Sequence, residues 1–216
     1  MKTIAKILNY DDHRDSDKPN SISVTTLMGS MFKAKKYLDK TPKTHVTDLV
    51  LKRSSFIGTA CHNRMEKILR EDKETHYDLE IFAEREVTVD DVVYTIAGSC
   101  DVLEKTDDKW ILMDLKTGYG AARKDDMLKK DALQMSLYRW LNQDKYDIDD
   151  RAWTLWMSQS NNSIDEIPIQ LMSLEQTQDF VENKLFAIAQ NQKVDCREGV
   201  KYNTCNYCSY LCEHRN

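Results

Sequence analysis

The chain has 216 residues and a formal net charge of -5 at pH 7, enough length for one well-buried core and at most a small appendage. No run of apolar residues approaches the length that crosses a bilayer. Residues 1–8 lack the apolar stretch and cleavage site of a secretory signal, so a cytoplasmic location with no membrane partner is expected. The acidic balance argues against indiscriminate binding to polyanions but leaves room for a local basic groove, because steering depends on where charges lie. A single domain over residues 1–216 is expected, in four stretches: an acidic segment (1–20), a helical region (21–75), a sheet with its helices (79–190) and a cysteine-rich tail (191–216).

In the first stretch, Asp11, Asp12, Asp15 and Asp17 surround His13 and Arg14 and end at Pro19, as in a solvated linker. Residues 21–27 read as a short extended piece whose Ser or Thr caps a helix from about 26 to 40. That helix and its sequel are basic. Lys33, Lys35, Lys36, Lys40, Lys43, Lys52 and Arg53 outnumber Asp39 and Asp48, which makes this the candidate surface for tracking phosphates, although a Lys-rich face is commonly just solvated. Past Pro42, residues 54–70 read as a helix with Ser54 and Ser55 at its start. Gly58, His62 and Glu66 fall four apart on one stripe of it, where the missing side chain of Gly58 admits a close neighbour.

Residues 79–103 alternate as two strands joined by a tight turn at Asp90-Asp91, and Asp107-Asp108 turns the chain into a third, Trp110 to Gly118, so an antiparallel meander is expected. Glu84 and Glu86 share one face of the first strand and could reach whatever site the others form. On the third, Asp114 and Lys116 point the same way, while Leu115 points oppositely and leaves its carbonyl near the pair. Asp101 on the neighbouring strand, three residues after Gly98, supplies a second acid. Two acids and a lysine so arranged make an oxygen-rich pocket for a hard divalent cation, suited to phosphodiester hydrolysis. Alone, D-x-K is better explained by a salt bridge on a solvated strand, the tripeptide being common; its company along the chain changes the odds.

A helix over 121–142 follows, with Gln134 and Tyr138 four apart and able to hold a phosphate, a metal-bound water or the lysine. Residues 151–158 read as a fourth strand with Trp153, Leu155 and Met157 on one face, and 166–171 as a fifth. Ser173 and Gln176 cap a last helix ending near 190. The tail holds Cys196, Cys205, Cys208 and Cys212, with His214 close behind. C-x-x-C is the natural bite for a tetrahedral metal, and zinc and an iron–sulfur cluster both suit thiolate ligation. The competing reading is a buried pair with bystanders.

In order, these residues are Gly58/His62/Glu66, Gly98/Asp101, Asp114/Lys116/Thr117 and Gln134/Tyr138. This series resembles the signature G-x-x-x-H-x-x-x-E, G-x-x-D, D-x-K-T, Q-x-x-x-Y of the RecB-type nuclease domain of the PD-(D/E)XK superfamily. That group includes CRISPR-associated adaptation nucleases, the mitochondrial genome maintenance exonuclease and phage exonucleases. Each motif is weak; four in series are specific. The resemblance spans roughly residues 21–212. It implies an α/β (α+β) restriction-endonuclease-like fold, a central mixed sheet flanked by helices with a helical N-terminal region.

It further implies that His62, Asp101, Asp114 and the Leu115 carbonyl ligate Mg2+ or Mn2+, with Lys116 beside the attacking water. Gln134 and Tyr138 would position Lys116 and the nucleic-acid backbone, with Glu66 and Gly58 accessory. The implied activity is a metal-dependent deoxyribonuclease, an exonuclease on single-stranded or frayed ends in recombination, repair or phage DNA processing, with a helicase or recombination protein as a separate partner. The alternative is a nucleic-acid-binding or assembly subunit with little turnover. The tail departs from the family's iron–sulfur version, which has one cysteine before the helical histidine motif. Here none precedes Cys61, so a cluster would draw on Cys196 or Cys61 with Cys205, Cys208 and Cys212, and zinc is its rival.

Overall fold

The structure is a computed structural model that describes residues 18–29, 31–40, 49–120, 124–161 and 163–190. The acidic run before residue 18, Lys43, Asp48 and the tail with Cys196, Cys205, Cys208, Cys212 and His214 lie outside the described residues, as do the side chains of Lys33, Lys52 and Arg53.

In chain order the elements are β1 (Ser21–Ser23), α1 (Val24–Leu27), α2 (Met31–Leu38), α3 (Leu49–Glu71), β2 (Tyr77–Val89), β3 (Val92–Lys105), β4 (Trp110–Gly118), α4 (Asp125–Asn142), β5 (Arg151–Ser158), β6 (Ile164–Gln170) and α5 (Leu174–Ala189). They form the expected mixed sheet flanked by helices. Strands β2 and β3 are a hairpin whose turn residues Asp90 and Asp91 have φ of 49° and 60°. That left-handed pair is what a two-residue turn of matching twist demands, and aspartate tolerates it. Ser173 and Gln176 form a full capping box on α5.

Two expectations need correction. The helix expected over 26–40 is two short ones, because the Ser23 hydroxyl caps α1 by accepting from Thr26 N–H and the chain breaks around Gly29. Helix α3 begins five residues before Ser54, so Ser54 and Ser55 lie inside the helix rather than at its start. The antiparallel meander of β2, β3 and β4 is present as expected, β4 pairing with β3 over four residues; beyond it β4 runs parallel to β5 from Met113 to Gly118. Helix α4 makes that parallel crossover, the βαβ connection that packs a helix onto the sheet.

Strand β3 has one edge hydrogen-bonded to β2 along nearly its whole length. Its other edge is divided. Thr95–Ala97 pair with β1, Val102–Lys105 pair with β4, and residues 98–101 between them have no ladder partner on that side. The G-x-x-D stretch is therefore the gap where β1 turns off into α1 and β4 splays toward β5.

The core lies where α1, α4 and α5 cover the sheet, with Ile22, Val24, Leu27, Ile96, Cys100, Met135, Leu137, Val181 and Leu185 all buried. A Cβ built on Gly98 would come within 2.9 Å of both Tyr138 Cε1 and Val24 Cγ2, so only a glycine lets α1 and α4 meet over the gap. Gly98→Ala should cost about 1–3 kcal/mol by overpacking, read as a lower urea midpoint with an unchanged m-value.

Candidate active site

Asp114 sits at the first position of β4 beyond its ladder with β3, and the same register carried one step further puts Asp101 opposite it. Opposed residues of an antiparallel pair share a face, so the two carboxyls converge where the strands part. The lost ladder bond is replaced: Leu115 N–H donates to Asp101 Oδ2 at 2.9 Å.

Lys116, two residues on, turns back to bring Nζ within 2.7 Å of Asp114 Oδ2 and donates to Gln134 Oε1 at 3.1 Å. Gln134 Nε2 in turn donates to the Tyr138 hydroxyl at 2.8 Å. Both partners come from α4, one turn apart, and Tyr138 is buried against Gly98. The ammonium is thus held from two sides.

Helix α3 supplies the imidazole. His62 Nε2 is 3.0 Å from the Leu115 carbonyl and Nδ1 is 3.5 Å from Asp101 Oδ2. A carbonyl only accepts, so the proton on that side belongs to Nε2. Gly58 lies a turn earlier, where a Cβ would stand 3.4 Å from Thr117 Oγ1, so the helix rides close over β4. His62, Asp101, Asp114, the Leu115 carbonyl, Lys116, Gln134 and Tyr138 are all brought together, as expected from the motifs.

Asp114 is buried, with the Lys116 ammonium 2.7 Å from its Oδ2. Burial raises its pKa from 3.8 to about 6; Lys116 opposes the rise, and Asp101 and Asp131 add to it. One nitrogen, two carboxylates and a carbonyl, one of the carboxylates buried with its charge disfavoured, are a donor set that suits a hard or borderline divalent cation. In the arrangement seen, Asp101 and His62 are engaged with the Leu115 peptide. Among the described residues no three His, Cys, Asp or Glu side chains stand close enough to chelate an ion without adjustment.

Two neighbours were not foreseen. Glu80 lies between the pairs Leu79–Val102 and Ile81–Cys100, across from Asp101, with φ of 49° inside a strand. Its carboxyl hydrogen-bonds that of Glu66, whose pKa is raised by burial first and then by Glu80. Glu66 also lies 3.5 Å from Arg70. The glutamate of β2 nearest the cluster is therefore Glu80, whereas Glu84 pairs with Lys18 and stands opposite Ala97. The period-2 face shared by Glu80, Glu84 and Glu86 was the available signal. Asp131, buried on α4, is the other.

Lys35, Lys36 and Lys40 lie on α2 and the turn after it, and α2 packs against β1 and α5. Cys61 is partly exposed on α3, and Cys100 is buried with its thiol pushed up to about 12 by burial and then by Asp101.

The family model described as the PD-(D/E)XK nuclease superfamily matches residues 30–212. Among solved structures, the protein SSO0001 superposes with a TM-score of 0.67 at 20% identity, covering 99% of this chain and 95% of its own. A provisionally assigned exonuclease from Eubacterium rectale superposes with a TM-score of 0.50 at 11% identity, covering 90% of each. At these identities the superpositions speak for the fold. No curated protein matches the sequence.

The Asp114 carboxyl generates a stability prediction. Its folded pKa lies above the unfolded 3.8, so between about pH 4 and 6 the native state binds more protons, and stability falls as pH rises through that window. The deficit above pH 6 is about 3 kcal/mol. With metal chelated, Asp114→Asn should therefore melt higher than the parent at pH 7.5, and the two should converge near pH 4, as differential scanning fluorimetry across pH would record.

Proposed function

The chain belongs to the PD-(D/E)XK nuclease superfamily, whose members generally use divalent metals such as Mg2+ or Mn2+, and from that premise we propose that it is a metal-dependent deoxyribonuclease. The activity proposed is exonucleolytic, on single-stranded or frayed DNA ends in recombination, repair or phage DNA processing, with any helicase or recombination protein a separate partner. The observation that carries the reading is the meeting of Asp101, Asp114 and His62 from three elements with the Lys116 ammonium 2.7 Å from Asp114. A salt bridge on a solvated strand, the plain alternative for D-x-K, does not bury its aspartate to 1% exposure.

In this reading Asp101, Asp114, the His62 imidazole and the Leu115 carbonyl hold the cation, which supplies Lewis-acid polarisation of the phosphate and a more acidic water. Lys116 orients the attacking water or meets the negative charge that grows on the phosphate oxygens in the transition state. Gln134 fixes the ammonium, and Tyr138 fixes Gln134. The nitrogen ligand makes Mn2+ an activator at least as fitting as Mg2+.

Cleavage of end-labelled single- and double-stranded DNA with Mn2+ tests the reading. Asp114→Ala and Lys116→Ala should each lower the rate by about 100-fold or more, and cutting that survives both changes overturns the assignment. Gln134→Ala leaves every ligand in place but removes one of the ammonium's two anchors, Asp114 remaining as the other. It should lower kcat by roughly 10-fold with KM little changed, within the range a misplaced catalytic group costs.

A further inference from the structure

The stretch of β3 that leads to Asp101 carries a feature the reaction does not use. Ser99 lies two residues before Asp101, in the stretch of β3 that has no ladder partner on its β1/β4 edge. Phe82 on β2 is paired with Ser99 in the register and points the same way. It is 48% exposed, on a strand whose neighbour Ile81 is buried. On one side of Phe82 is a cavity of about 160 Å3 that Ser23, Thr25, Tyr37, Ser99 and Tyr138 also line. On the other is an open cleft of about 820 Å3 running under the C-terminal end of α3, whose wall mixes Arg70, Lys73 and Lys145 with Asp72, Glu74 and Asp78. The ring therefore stands between a small hydroxyl-lined pocket and a broad cleft of mixed charge.

The small cavity is joined to the reacting centre by a named chain: Tyr138, in its wall, accepts from Gln134, which accepts from Lys116. Its volume is about that of five waters, the scale of one nucleobase and too small for a base pair. An exposed aromatic beside hydroxyl donors suits an unstacked base and its sugar, since any base offers a π-face. We infer that Phe82 is a substrate-binding residue: a nucleobase next to the scissile phosphate stacks on its ring, with its nucleotide seated over Ser99 and the hydroxyl-lined pocket. This rests on the nuclease reading above and deepens it. A base that must leave its pair to reach Phe82 makes single-stranded DNA the preferred form and requires duplex ends to fray.

The test uses the full chain carrying Asp114→Asn, which binds without cutting, and fluorescein-labelled single strands with one abasic residue moved stepwise along them, followed by anisotropy. One abasic position should weaken binding by roughly tenfold, the scale of one base–aromatic stack. Adding Phe82→Ala should weaken binding to the intact strand by a similar factor and abolish the effect of that lesion, and Phe82→Trp should restore both. Phe82→Ala that binds as its parent does, or keeps the same lesion profile, overturns the subsite. So does a lowered melting temperature with an unchanged lesion profile, which would make Phe82 a packing residue. If the unsubstituted chain cuts DNA with Mn2+ while the Phe82 results fail, only the subsite falls. If it cuts no strand, the nuclease reading falls and takes the subsite with it.

Discussion

Everything at the candidate site follows from one edge of one strand. Along β3, hydrogen bonding to β2 is nearly continuous, but the opposite edge is shared between β1 and β4, which enter from opposite ends and do not meet. Backbone groups deprived of a ladder must find other partners or water, and here the Leu115 N–H is taken by the Asp101 carboxylate. The fork that frees the strand edge is thus also what fixes the acid. A β4 that continued its pairing with β3 would keep the carboxyls on one face but close the space between the strands.

Around that fork the protein keeps two opposing charges in poor surroundings for either. Asp114 is buried, and burial dominates its raised pKa despite an ammonium 2.7 Å away. A single cation so near would ordinarily hold a carboxylate low. The balance goes the other way because Asp101 and Asp131 add negative potential to the desolvation. Excess negative potential in a dry cleft is the condition under which a divalent cation gains most, because its charge relieves several groups at once. The stability withheld by Asp114 is therefore consistent with a pocket shaped for a cation rather than for the chain alone.

The division of labour among elements explains why the site draws on both sides of the sheet. Helix α3 delivers His62 over β4, with Gly58 facing Thr117 one turn earlier. Helix α4 delivers Gln134 and Tyr138, made possible by Gly98 beneath Tyr138. Of the two glycines, Gly98 is the one whose missing side chain lets its helix approach the strand it serves. The Glu66–Glu80 carboxyl pair sits beside this arrangement, with Glu80 in a left-handed conformation that a glutamate rarely adopts.

Local pattern settled a good deal. Alternation marked the strands, Asp90-Asp91 marked the hairpin turn, Ser173 with Gln176 marked the start of α5, and the order of Gly58, His62, Glu66, Gly98, Asp101, Asp114, Lys116, Gln134 and Tyr138 marked the cluster. These are short-range or ordered signals, set by propensity, capping and spacing. Boundaries set by competition were misread. Ser54 and Ser55 look like caps, but the helix continues through them because capping propensity is weak against an extended helical run. The parallel pairing of β4 with β5, the gap in the edge of β3, the identity of Glu80 rather than Glu84 as the neighbour of Asp101, and the burial of Asp114 came only from the tertiary structure. Each depends on which distant segments pair and which faces are covered, and long-range pairing is decided by the energy of the whole packed sheet, which no window of residues contains.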